Sequence, residues 1–94
     1  MEGQKRLGFI GIVINDRSVA AEVNATLGRF AHVIRARVGV PDSDSSAAVI
    51  GLIVEGNNQD LGALTAKLGN LHDVEVKSAL SKKGCASNTP SLSE

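Results

Sequence analysis

The apolar positions of the chain fall into segments of two periods. Leu7-Gly8-Phe9-Ile10-Gly11-Ile12-Val13-Ile14 is a short run rich in β-branched residues, which predicts a strand ended by Asn15 and Asp16. From Ser18 the spacing becomes three and four, so Val19, Val23, Leu27 and Phe30 form one stripe of a helix running to about Arg29. Asp16 or Ser18 is placed to cap that helix, and Gly28 to stop it in a left-handed turn. Val33 to Val40 alternates, with Val33, Arg35, Arg37 and Gly39 on one face and Ile34, Ala36, Val38 and Val40 on the other. The polar cluster Pro41-Asp42-Ser43-Asp44-Ser45-Ser46 predicts a turn. Ala47 to Val54 is a second continuous apolar run. Asn57 or Asn58 then caps a second helix with the stripe Leu61, Leu64, Leu68 and Leu71, terminated at Gly69-Asn70. In a last short strand Val74, Val76, Ser78 and Leu80 alternate with Glu75, Lys77 and Ala79.

The order is βαββαβ, in two halves that echo each other: Gly11-Ile12-Val13-Ile14 resembles Gly51-Leu52-Ile53-Val54, and Leu27-Gly28 resembles Leu68-Gly69. Two such units interleave into an α+β, ferredoxin-like sandwich, a four-stranded antiparallel sheet with two helices on one face. The expected boundaries are a flexible start over 1–6, one domain over 7–81 and a disordered tail over 82–94. The first and third strands are apolar on both faces, which marks them as the central pair, while the second and fourth carry Arg35 and Arg37, and Glu75 and Lys77.

Two helices cover only one face. The other is left with Phe9 or its neighbours, and with Val49 or Ile50, Leu52 and Ile53 or Val54. Soluble monomers seldom show such a contiguous patch beyond a few hundred Å². Burying ~800 Å² per partner, half of it apolar, yields about 10 kcal/mol gross per partner before association costs. A homo-oligomer, dimer or tetramer, built through the sheet face is therefore expected. Against it, Gly8, Gly11 and Gly51 thin the patch.

A length of 94 residues fits one domain. Ten Lys plus Arg balance ten Asp plus Glu, which argues against direct nucleic-acid binding. The only aromatic residues, Phe9 and Phe30, are too few for a stacking platform. A lone Cys85 forms no internal disulfide, and the apolar run 7–14 is too short to span a membrane, so a cytoplasmic location is expected.

Candidate chemistry is sparse. His32 and His72 follow the two helices and could share one end of the fold, but a metal needs three or four convergent ligands, so no metal or cofactor is expected. Asn15-Asp16 and Gly56-Asn57-Asn58 are strand-to-helix turns whose side chains cap helices and whose amides can receive an anion or small polar ligand. No nucleotide-binding motif accompanies them. Arg35 and Arg37, on one face of the second strand, can clamp an anion, pair with a carboxylate of a second copy, or discourage edge aggregation. Ser43, Ser45 and Ser46 have no neighbouring base and read as turn residues. An enzyme would have to draw on Asp16, Asp73 and His72, so no catalytic residue is assigned and a non-enzymatic protein is expected.

As an ordered set, Ile10 to Ile14 with Asp16-Arg17-Ser18, Ile34 to Pro41 ending in Arg37-Val38-Gly39-Val40-Pro41, Ala63 to Gly69, and Val74 to Ser81 resemble the small bacterial family of iron-only hydrogenase system regulators. The resemblance spans about residues 7 to 82. It implies an ACT-like fold, similar to the ligand-sensing domain of the nickel-responsive regulator, and a ligand-sensing or assembly module linked to hydrogenase maturation or expression. It also implies a ligand site at a subunit interface near the turn after the first strand. The matching positions are Asn15 and Asp16, with Arg37 and Gly39 as neighbours. The histidine and cysteine ligands of the nickel-responsive protein and its DNA-reading domain have no counterpart. A small polar metabolite and a protein are the partners implied. The alternative is a ligand-free module that assembles through its exposed sheet face.

Overall fold

The computed structural model describes residues 5–42 and 47–82. Residues 1–4 of the expected flexible start, Ser43 to Ser46 of the predicted turn, and 83–94 of the expected tail with Cys85 lie outside the described residues. The elements are β1 (Arg6–Ile14), a 3-10 turn (Arg17–Val19), α1 (Ala20–Arg29), a second 3-10 turn (Ala31–Val33), β2 (Ile34–Pro41), β3 (Ala48–Gly56), α2 (Asn58–Gly69) and β4 (Val74–Leu80). The sheet order is β2-β3-β1-β4, with every pair antiparallel, which is the ferredoxin-like arrangement. The two strands that are apolar on both faces occupy its centre.

Side chains of opposite parity leave β1 and β3 toward opposite faces. Ile10, Ile12 and Ile14 pair through β3 with Leu52, Ile50 and Ala48 and are buried beneath the helices. Val23 and Leu27 of α1 and Leu61, Leu64 and Leu68 of α2 close that layer. Thr26 is the one buried polar residue among those described, and its hydroxyl donates to the Glu22 carbonyl at 2.9 Å, so it carries no unsatisfied donor.

Asn57 caps α2, whereas Asp16 caps the 3-10 turn that leads into α1, and α1 itself starts after Val19 with no side-chain cap. Asp16 Oδ1 accepts from the Ser18 amide at 3.0 Å, and Asn57 Oδ1 from the Asp60 amide at 2.7 Å. Gly28 does not stop α1 in a left-handed turn. It lies inside the helix, which ends at Arg29, and no described glycine has positive φ. The left-handed residue is Asp73, at φ 62, where the chain turns from α2 into β4.

One irregularity alters the reading of β2. Ile34 pairs with Val54, but Ala36 pairs with Ile53, a register shift that marks a bulge. Residues directly opposite share a face, so Ala36, Val38 and Val40 join Ile53, Gly51 and Val49 on the helix-free side. Arg37 and Gly39 fall opposite Leu52 and Ile50 on the helix side. The expectation that Arg35 and Arg37 share a face is therefore corrected. Arg35 Nη1 lies 3.5 Å from Glu55 Oε1, whereas Arg37 Nη2 donates to Asn24 Oδ1 of α1 at 3.1 Å. Ile34, too, is parted from the three apolar residues expected to accompany it.

The start of β1 is tied to the end of β4. Leu7 accepts at its carbonyl from the Ser81 amide at 2.8 Å, and its own amide donates to Ser81 Oγ at 3.1 Å. Arg6 spans the same corner, donating from Nε to the Ser81 carbonyl at 2.7 Å and from Nη1 to Asn58 Oδ1 at 2.9 Å.

Candidate functional site

The six large hydrophobic side chains left exposed among the described residues are Leu7, Phe9, Val38, Val40, Val49 and Ile53. All six lie on the helix-free face. Phe9 pairs with Ile53, Val40 with Val49, and Val38 sits across from Gly51. The bulge puts the two β2 valines there; without it that edge of the face would carry Arg37 and Gly39. Val38 is 67% exposed and Val40 60%, values that few large apolar residues of a monomer keep together. Glycine thins the patch less than the sequence suggests. Gly8 belongs to the helix side, beside Leu80 and Val54, and Gly11 and Gly51, which face each other across β1 and β3, are overlaid by Phe9. A Cβ on Gly51 would stand 3.1 Å from Phe9 Cε1, and one on Gly11 3.2 Å from Cε2, so the ring lies against the bare backbone of both strands. Glu75 and Lys77 of β4 flank the patch, opposite Val13 and Gly11.

The four candidate ligand residues do not meet within one chain. Asn15 and Asp16 lie past the end of β1, where Ile14 is paired with Ala48 and Val74. The Asn15 amide donates to the Asp73 carbonyl at 2.8 Å, and its Nδ2 lies 3.5 Å from Glu75 Oε2. Arg37 and Gly39 stand on edge strand β2, separated from β1 by β3. Among the described residues no hydrogen bond or ion pair joins either of them to Asn15 or Asp16. The Asp16 carboxylate is occupied by its cap and the Arg37 guanidinium by Asn24.

The histidines lie at opposite ends of the sheet, contrary to the expectation that they could share one. His32 precedes β2, whose first residue pairs with Val54 near the Arg6–Gly56 end. His72 precedes β4, whose first residue pairs with Ile14. Each helix links two parallel strands, α1 joining β1 to β2 and α2 joining β3 to β4, and the two pairs run in opposite directions, so the helix exits lie at opposite ends of the sheet. His32 Nε2 lies 3.4 Å from Asp60 Oδ2 and its ring stacks on Phe30 at a centroid distance of 6.3 Å, while His72 Nδ1 lies 3.2 Å from Asp73 Oδ2. All of these polar groups are exposed. Among the described residues no three His, Cys, Asp or Glu are grouped to hold a metal ion. Nor is any described helix long and apolar enough to cross a membrane.

The model of the TM1266-like family, described as "Iron-only hydrogenase system regulator, putative", matches residues 6–78. The solved structure of protein TM1266 from Thermotoga maritima is 38% identical, with a TM-score of 0.78 over 84% of this chain and 100% of that one. The C-terminal domain of the MgtC protein from Mycobacterium tuberculosis shares the fold at 14% identity, with a TM-score of 0.61 over 93% of this chain and 98% of that one. No curated protein matches.

Proposed function

The chain belongs to the TM1266-like family of iron-only hydrogenase system regulators, and on that premise we propose that it is a cytoplasmic, non-enzymatic regulatory module that assembles with copies of itself through its helix-free face. It binds a small polar ligand where copies meet, and its output bears on the maturation or expression of iron-only hydrogenase. The observation that carries the reading is the gathering of all six exposed large hydrophobics on one face. Covering that face removes several hundred Å² of apolar surface from water, enough to offset the association cost of a second copy. Asn15 and Asp16, at the turn past the end of β1, supply amides and a carboxylate to a polar guest, and Arg37 and Gly39, which lie on the helix side of β2, reach that guest only where the β2 edge of another copy abuts the turn. Two copies are needed because one chain keeps these pairs apart.

Sedimentation combined with thermal melting tests this. A mass above that of one 9.7 kDa chain is expected, together with stabilisation by a member of a panel of amino acids, nucleotides and metal salts. A ligand at a hundredfold excess over its dissociation constant adds about 2.7 kcal/mol. A single-chain mass, or melts that no compound moves, refutes the sensing reading.

A second reading, assembly without a ligand, is favoured by the internal engagement of Arg37 with Asn24 and of Asp16 with Ser18. It predicts a stable oligomer whose melting temperature no metabolite shifts.

A further inference from the structure

We infer that the open edge of β4 is a second self-association surface, on which two copies pair antiparallel about a twofold axis at Val76 and so continue the sheet from four strands to eight. Strand β4 ends the sheet order, so among the described residues one row of its backbone groups has no partner strand. The parity of that row follows from the ladder with β1. Asp73 and Ser81 both bond to β1, through the Asn15 amide and the Leu7 carbonyl, and both belong to the register that pairs Val74 with Ile14 and Leu80 with Gly8. In an antiparallel ladder the bonded residues alternate, so the odd-numbered residues of β4 turn toward β1. Val74, Val76, Ser78 and Leu80 therefore direct their amides and carbonyls to the open edge.

A symmetric partner must match even residues with even ones, and charge selects among the registers that remain. With the axis at Val76, Val76 bonds to its own copy and Val74 to Ser78. Glu75 then stands opposite Lys77 on each side of the axis, in a non-hydrogen-bonded pair where side chains come closest. Moving the axis to residue 75 sets Glu75 against Glu75, and moving it to residue 77 sets Lys77 against Lys77. An axis at Val74 sets Glu75 against Asp73. Both charges are exposed: among the described residues Lys77 makes no ion pair, and the one polar contact of the Glu75 side chain is the 3.5 Å approach of Asn15. The opposite edge is less suited. Strand β2 is bulged, ends in Pro41 and carries two arginines, all of which discourage pairing. This edge is distinct from the helix-free face, so either surface can fail while the other holds.

Charge reversal tests the inference. Lys77→Glu places Glu75 opposite a glutamate and should halve the mass measured by sedimentation, as should Glu75→Lys. The double variant Glu75→Lys/Lys77→Glu restores opposite charges and should recover the original mass. A single-chain mass for the starting protein, an unchanged mass in Lys77→Glu, or no recovery in a folded double variant overturns the proposal. So does dissociation caused by Val38→Asp and not by the β4 reversals. An arm independent of reversal uses Glu75→Cys and Lys77→Cys chains, each also carrying Cys85→Ser. Mixed under mild oxidation, the two should cross-link to each other, and neither should cross-link to itself. Absence of the mixed product likewise overturns the pairing.

Discussion

Arg37 reaches Asn24 across the helix side of the sheet, Nη2 to Oδ1 at 3.1 Å, although a strict alternation along β2 would set it beside Arg35 on the other side. Both residues are exposed, so the bond contributes little to stability. Asn24→Ala should lower the unfolding free energy by no more than about 0.5–1 kcal/mol in urea titration, and a double-mutant cycle with Arg37→Ala should give a coupling of the same size or less. A coupling of several kcal/mol would show the pair to be a structural clamp.

Val38→Asp places a charge in the middle of the apolar patch without touching the core. Its expected signature is a fall in oligomer mass with a change in monomer stability below about 1 kcal/mol. Leu64→Ala, which empties a fully buried position beneath the sheet, is the contrast. It should cost about 2–5 kcal/mol by denaturant unfolding.

Two glycines should respond in opposite directions. A Cβ on Gly8 would stand 2.6 Å from the Ala79 carbonyl oxygen, so Gly8→Ala must push β1 and β4 apart and should destabilise by about 1–3 kcal/mol. A Cβ on Gly62, inside α2, meets nothing within 4 Å. Gly62→Ala should therefore stabilise by about 0.5–1 kcal/mol through helix propensity, read as a higher melting temperature.

At Asp73 the left-handed backbone is tolerated because a short polar side chain suits that region better than a branched one. Asp73→Gly and Asp73→Asn should melt near the starting protein. Asp73→Val should lose about 1–3 kcal/mol, with the loss confined to stability if His72 and Asp73 take no part in binding.

The element order and the central position of β1 and β3 were legible in the sequence because burial on both faces leaves a mark that no neighbour can erase: Phe9 and Ile10 are apolar alike, as are Ile53 and Val54. The bulge after Ile34 was not legible. It inserts one residue and leaves period two intact on both sides, so the alternation from Arg35 to Val40 is the same whichever face each set occupies. The helix stops misled for a related reason. Glycine permits a left-handed turn but does not require one, and Gly28 stays helical while Asp73 makes the turn. Of the candidate ligand residues, the capping side of Asp16 followed from local chemistry. The isolation of Asn15 and Asp16 from Arg37 and Gly39 followed only from the order of the strands.

The bond between Leu7 and Ser81 has a bearing on how this chain can be rewired. Adjacent strands lie about 5 Å apart, so a linker of a few residues from Ser81 back to Arg6 would close the backbone into a ring without displacing any strand or helix. A circularised protein of this kind should keep the same sheet, with the corner now held by Arg6 and Asn58 secured covalently.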